Sequence, residues 1–177
     1  MGNTGIYVSQ GDITRMPADA IITAINSGGL WFGGIDGAIQ RAAGSGYHAQ
    51  AQAVMPLKDL QTVVAKGNRN DHSGEFDNVV FVVDDLQSPL DNVVYNGLET
   101  ASNEGYQRVL LPTVRMGVML GQVEKTPEEA IERMSNGVRE FMQKYGSTTK
   151  IGDLRFVVHN DSDTTDMLSK GLARAFE

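Results

Sequence analysis

The stretch Ala18-Asp19-Ala20-Ile21-Ile22-Thr23-Ala24-Ile25, then Asn26-Ser27-Gly28-Gly29, then Gly33-Gly34-Ile35-Asp36-Gly37-Ala38-Ile39-Gln40-Arg41-Ala42-Ala43-Gly44, decides the fold. Its first part is apolar and too short for a typical helix, which suits a buried strand. Its middle, Ser27 to Gly37, is rich in glycine. Its last part, Ala38 to Ala43, is made of good helix formers and stops at Gly44. The glycine loop has two readings. Backbone N–H groups there can come close to a phosphate, with a helix N-terminus behind them, or the loop simply needs tight turns. No GxxxxGK[ST] occurs in the chain, and GxGxxG is absent from this turn, so neither common phosphate fingerprint applies.

Upstream, Ile6 to Gln10 reads as a strand that ends at Gly11-Asp12. Downstream, Leu60 to Ala65 and Val79 to Val83 read as strands, with a polar, turn-like loop from Gly67 to Asp77 between them. Ser88 or Asp91 starts a helix to about Asn103. Arg108 to Val114 reads as a buried strand interrupted at Pro112, and Gly117 and Gly121 mark a second loop. Thr126-Pro127-Glu128-Glu129 supplies an N-cap, a proline at the first helical position and acids in the first turn, opening a helix to about Tyr145. Leu154 to His159 is the last strand, and Ser162 or Asp163 opens a last helix to about Ala175. Strands alternating with helices predict an α/β sheet covered on both faces. In such sheets ligands sit outside the carboxyl ends of the strands, where both glycine loops lie.

The chain has 177 residues, 41% hydrophobic and 21% charged, about the size of one domain with a sizeable core. We expect one domain over 1–177. No apolar run reaches the roughly 18–20 residues of a membrane helix, and the start of the chain lacks signal-peptide features. The absence of cysteine excludes disulfides and thiolate metal sites and fits a cytoplasmic location. With 15 Lys and Arg against 22 Asp and Glu and a net charge of −7, the chain lacks the basic surface of a nonspecific nucleic-acid binder. Any phosphate site is therefore expected to use backbone N–H groups. His48, His72 and His159 share no ligand spacing, so no metal site is expected on them.

Gly11-Asp12-Ile13-Thr14, Ala18-Asp19-Ala20-Ile21-Ile22, Ala24-Ile25-Asn26-Ser27 and Gly33 to Gly44 together resemble the macrodomain family. The family pattern here reads approximately GDIT, DAIVNAANS and GGGGVDGAIHRAAG, and the spacing from Asn26 to Asp36 needs no gap. Beyond Gly44 the resemblance rests on strand order, on Leu110-Leu111-Pro112 before a glycine loop, and on the last strand and helix. It is closest in motif to the hydrolytic members. The resemblance implies a three-layer α/β/α sandwich around a mixed, mostly parallel sheet, with ADP-ribose or ADP-ribosylated protein as partner and no cofactor. A lone compact domain of this length is expected to be a monomer, and the lack of a long apolar run points to no membrane.

The resemblance also implies roles. Asp12 would accept from the adenine amino group, and the backbone of Ile13 would contact the ring. Asn26 would meet the distal ribose, Gly33, Gly34 and Ile35 the diphosphate, and Asp36 would be the acidic residue of hydrolytic members. Arg115, Met116, Gly117, Val118 and Met119 occupy the second loop, whose family pattern is roughly PAISTGIYGYP. Asn160 stands where the family often supplies a residue against adenine. Departures are Thr23 for the first Asn of NAAN, Trp31 and Phe32 for two glycines, Gln40 for a His, and Met119 for an aromatic. Trp31 and Phe32 could narrow the distal pocket or replace the missing ribose packing.

Each of these residues also has a plainer role. Asp12 could end a strand and cap a turn, Asn26 could bond its own backbone, and Asp36 suits any helix N-terminus. Arg115 could offer charge to a phosphate, although an Arg at such a loop is more often a surface residue. Asn68 to His72 reads as a solvated turn. The expected activity is hydrolysis of ADP-ribosyl linkages. A non-catalytic reader and a protein-interaction domain with a degenerate pocket are the alternatives.

Overall fold

A computed structural model describes residues 4–29, 35–116 and 120–177. Six strands, β1 (Gly5–Gln10), β2 (Ala18–Ile25), β3 (Thr62–Ala65), β4 (Phe76–Val83), β5 (Arg108–Leu111) and β6 (Asp153–Val158), form one sheet in the order β1-β6-β5-β2-β4-β3. All neighbours are parallel except β3, which pairs antiparallel with β4. The helices are α1 (Ile35–Ala43), α2 (Gly46–Gln52), α3 (Leu90–Asn103), α4 (Pro127–Tyr145) and α5 (Ser162–Ala175).

Strand alternation sorts the apolar side chains into two cores, one on each face of the sheet. Ala20 and Ile22 of β2, Val80 and Val82 of β4, Val109 and Leu111 of β5, and Leu154 and Phe156 of β6 join α3, α4 and α5. Ile21 and Ile25, Phe81 and Val83, Leu110, and Val157 point the other way, onto Ile39 of α1 and onto Tyr47 and Ala51 of α2. Parallel strands covered on both faces read as continuous apolar runs, which is why β2 occupies the residues its composition predicts.

The differences from expectation have local causes. β5 stops at Leu111 because Pro112 has no N–H to extend the ladder. β3 begins at Thr62, after Leu60 takes a left-handed φ of 71°. Helix α2 was not expected, since in Gly-Tyr-His-Ala-Gln-Ala-Gln only Tyr47 and Ala51 make an apolar stripe, too short to read as a helix. The turn at Asn68 to His72 is exposed at Asn68, Asn70 and Asp71 but tied inward at both ends. Arg69 grips Asp77 through Nε and Nη2, and Tyr47 Oη pairs with His72 Nε2 at 2.9 Å.

Candidate functional site

The carboxyl ends of β1, β6, β5 and β2 lie side by side, since those strands are neighbours in the sheet. At roughly 4.8 Å per strand they make a row about 14 Å long. Asp12 follows β1, Asn160 follows β6, Met116 follows β5 and Asn26 follows β2, so the sheet brings these expected site residues to one edge. Gly33, Gly34, Gly117, Val118 and Met119, with Trp31 and Phe32, lie outside the described residues.

At the β1 end the Gly11 N–H donates to Val158 O at 3.0 Å, which sets Asp12 beside the His159-Asn160 turn. Asp12 Oδ1 accepts from the Thr14 N–H at 2.9 Å and from Thr14 Oγ1 at 2.7 Å, capping a short 3₁₀ turn, Ile13–Arg15. Its Oδ2 lies 3.5 Å from Arg15 Nε. The Thr14 hydroxyl bond is the main cause of a carboxyl pKa below the ordinary value, and the nearby Arg15 and His159 add to it. Asp12 is thus an anion at neutral pH, held in one orientation. Ile13 is buried in the second core, which anchors this corner. Asn160 takes a left-handed φ of 50°, and Asp161 after it caps α5 by accepting from the Thr164 N–H.

At the β2 end Asn26 Oδ1 accepts from the Gly28 N–H at 3.0 Å, and the Gly29 N–H donates to Asn26 O at 2.9 Å. Asn26 therefore shapes the start of the glycine loop as well as standing at the strand end. Ile35 opens α1, and Asp36 lies in its first turn with no exposed surface. Its Oδ1 is 3.6 Å from His48 Nε2 on α2, and His48 packs its ring edge against Phe81 at 4.8 Å. His48 is the partner that sequence reasoning missed. It stands beyond a helix break at Gly44, so no helical spacing links it to Asp36.

Arg115 requires a correction. It is buried, not a surface residue, and two carboxylates balance its charge. Nε and Nη2 reach Asp84 at 3.0 and 2.7 Å, Nη1 reaches Glu124 Oε1 at 2.9 Å, and Nη2 also donates to Ser88 O at 2.7 Å. Burial works against the guanidinium charge, and Asp84 and Glu124 outweigh it, so the pKa lies above the ordinary value. With its charge spent inside the protein, Arg115 is not a cation offered to phosphate.

Among the described residues, no group of three or more His, Cys, Asp or Glu is placed to hold a metal ion. No described helix is long and apolar enough to cross a membrane. A cavity of 370 Å³ lined by Asp19, Arg69, Arg108 and Asp153 lies at the opposite, amino-terminal edge of the sheet.

No protein-family model matches the chain. A macro domain-containing protein of Streptomyces coelicolor is 30% identical over 167 residues, covering 88% of this chain and 91% of that protein. An O-acetyl-ADP-ribose deacetylase of Citrobacter rodentium is 27% identical over 97% of each chain. Among solved structures, a Trypanosoma brucei macrodomain in complex with ADP-ribose superimposes with a TM-score of 0.76 at 21% identity, covering 93% of this chain and 68% of that one.

Proposed function

The chain belongs to the macrodomain family, and from that premise we propose that its strand-end row binds ADP-ribose and that the protein hydrolyses ADP-ribosyl linkages. The observation that supports this reading is the order of the strand ends, β1, β6, β5, β2, which carries Asp12 and Asn160 at one end and Asn26 at the other. A ligand with an adenine at one end and a ribose at the other fits that polarity. In this reading Asp12 accepts from the adenine amino group, since an ionised carboxylate only accepts. The Ile13 backbone contacts the ring, with Asn160 opposite. The diphosphate lies against backbone N–H groups of the two loops, including Gly33, Gly34, Ile35 and 116–119, next to the N-terminus of α1. Asn26 holds the distal ribose hydroxyls.

For turnover of a linkage at the anomeric carbon, a water adds to that carbon as its bond to the acceptor oxygen breaks. For an O-acetyl ester, the water adds to the acyl carbon as its bond to the ribose oxygen breaks. The water gives one proton to Asp36 or to a ligand phosphate oxygen, and that proton passes on to the departing oxygen. Orientation alone supplies up to about 7–11 kcal/mol in the best systems, and a general base about 10²–10⁴-fold. Mono-ADP-ribosylated protein, O-acetyl-ADP-ribose and ADP-ribose 1''-phosphate are the substrate candidates. The relative named as an O-acetyl-ADP-ribose deacetylase supports the second of these. We read residues 1–177 as one domain acting as a monomer in the cytoplasm.

One observation favours a second reading, binding without turnover. Asp36 is wholly buried and faces His48. A single assay decides between the two. The protein is incubated with mono-ADP-ribosylated protein and with O-acetyl-ADP-ribose, and released ADP-ribose is measured beside Asn26→Ala and Asp36→Ala. Release that falls at least about 100-fold in both variants is expected for the enzyme. Binding without release leaves a reader, and release that survives both substitutions removes the site assignment.

A further inference from the structure

Three adjacent strands, β5 and β2 of the site row and β4 beside them, share one buried ion cluster just beyond their carboxyl ends. The Asp84 N–H at the end of β4 donates to Ile25 O at the end of β2, at 2.8 Å. Asp85 Oδ1 accepts from the Ser27 N–H at 2.8 Å, so the turn that carries Asn26 hangs from the same residues. Asp84 Oδ1 and Oδ2 hold Arg115, which lies in the loop after β5. Arg115 Nη1 in turn holds Glu124, whose Oε2 accepts from the Leu90 N–H at the start of α3 and whose backbone O accepts from the Gly121 N–H. Two carboxylates face one guanidinium, and the amino end of α3 offsets the surplus negative charge.

Two backbone turns in this cluster are strained. Leu86 has φ 60° and Arg115 φ 62°, both in the left-handed region that side chains disfavour. The Leu86 N–H donates to Asp84 Oδ1 at 3.0 Å, so the same carboxylate that binds Arg115 holds the Leu86 turn. Bonds that keep two non-glycine residues left-handed set backbone direction as well as adding stability.

We infer that Arg115 is a positioning residue. Its buried cluster with Asp84 and Glu124 locks the loop after β5 to the Asn26 turn, so that both loops meet one ligand in a fixed relation. The inference rests on the ADP-ribose reading above and adds that the diphosphate and distal-ribose half of the site is preset by a cation that never touches the ligand.

Arg115→Lys keeps the charge but cannot make the forked contact with Asp84 together with the Glu124 and Ser88 bonds. Glu124→Gln, nearly isosteric, removes one carboxylate charge and is the second variant. Affinities for ADP-ribose and for AMP are measured by calorimetry, far enough below each thermal midpoint that every variant is fully folded. Amide exchange is followed at Leu86, Leu90 and Gly121. The expected result is an ADP-ribose affinity lowered about tenfold, an AMP affinity within about twofold of wild type, and faster exchange at the three amides. A purely structural role lowers the midpoint and leaves both affinities unchanged in folded protein, and that result overturns the inference. Failure of both variants to fold overturns it as well, assigning the cluster to stability alone. Wild type that binds neither ligand sinks the ADP-ribose reading instead, and the exchange data then decide whether Arg115 locks the turns.

Discussion

Asp36 Oδ1 and His48 Nε2 lie 3.6 Å apart with almost no exposed surface, and removing one of two buried polar partners costs more than removing both. Asp36→Asn and His48→Leu are each expected to lower unfolding free energy by about 2 kcal/mol, with the double variant losing clearly less than the sum. Urea denaturation measures this, and additive losses would show that the two side chains do not act as a pair. Asp77 offers a test in acid. The Arg69 side-chain bond is the main cause of its lowered pKa. A lowered carboxyl pKa stabilises the fold above the ordinary value of 3.8, and the contribution fades as pH falls through the folded-state pKa. Asp77→Asn should therefore cost about 1 kcal/mol at neutral pH, a figure reduced for the partial exposure of both groups, and nothing at the acid end. A melting-temperature profile against pH that stays parallel to wild type down to the acid limb would contradict this. Asn26 and Asp36 could be named from the chain alone because their types and spacing repeat a known pattern. The His48 contact could not, because tertiary packing of α1 on α2 creates it.

At the scale of elements, what was legible follows from local rules. The start of α4 could be read from Thr126, Pro127 and two acids, and Thr126 Oγ1 does accept from the Glu129 N–H at 3.1 Å. The start of α5 at Ser162 was legible too, and the cap is the residue before it, Asp161, whose carboxylate accepts from the Thr164 N–H. Gly137 on α4 shows packing overriding propensity. A Cβ there would meet Asp91 O at 2.6 Å and Val94 Cβ at 3.0 Å, across the contact between α3 and α4. Alanine gains about 1 kcal/mol of helix propensity, while overpacking costs about 1–3 kcal/mol, and a backbone oxygen cannot swing aside. Gly137→Ala should therefore destabilise the protein by about 1 kcal/mol on balance, read from the denaturation midpoint. A stabilised variant would mean that α4 can shift away from α3.

For the whole molecule, the decisive quantity is charge. The protein carries a net −7, and Arg115 beside the second loop is neutralised by Asp84 and Glu124. An anionic ligand held by backbone N–H groups on such a body is repelled at long range. Salt screens that repulsion, with a Debye length of about 10 Å at 0.1 M falling to about 3 Å at 1 M. ADP-ribose affinity should therefore hold steady or rise by about twofold between low and high salt. Calorimetry at several salt concentrations measures it, and a steep fall would point to Lys or Arg side chains gripping the phosphates. Acidity and the lack of a phosphate-binding lysine motif were legible at once. The neutralisation of Arg115 was not, because it needs Asp84 and Glu124, which only the fold brings near.

The pairing of β1 with β6 also bears on how the molecule is made. Gly5 lies opposite Asp153 and Gln10 opposite Val158, and Thr4 Oγ1 donates to Ile151 O. Contacts so distant in sequence form slowly, and a ribosome delivers the chain from its amino end. The Asn26 turn can assemble once β2, β4 and β5 have emerged. The Asp12 corner must wait for the last strand, with β1 unpaired on its inner edge until then. On the adenine role proposed for Asp12, competence to recognise that base is acquired last during synthesis, and a nascent chain halted before β6 would own one half of the proposed site and lack the other.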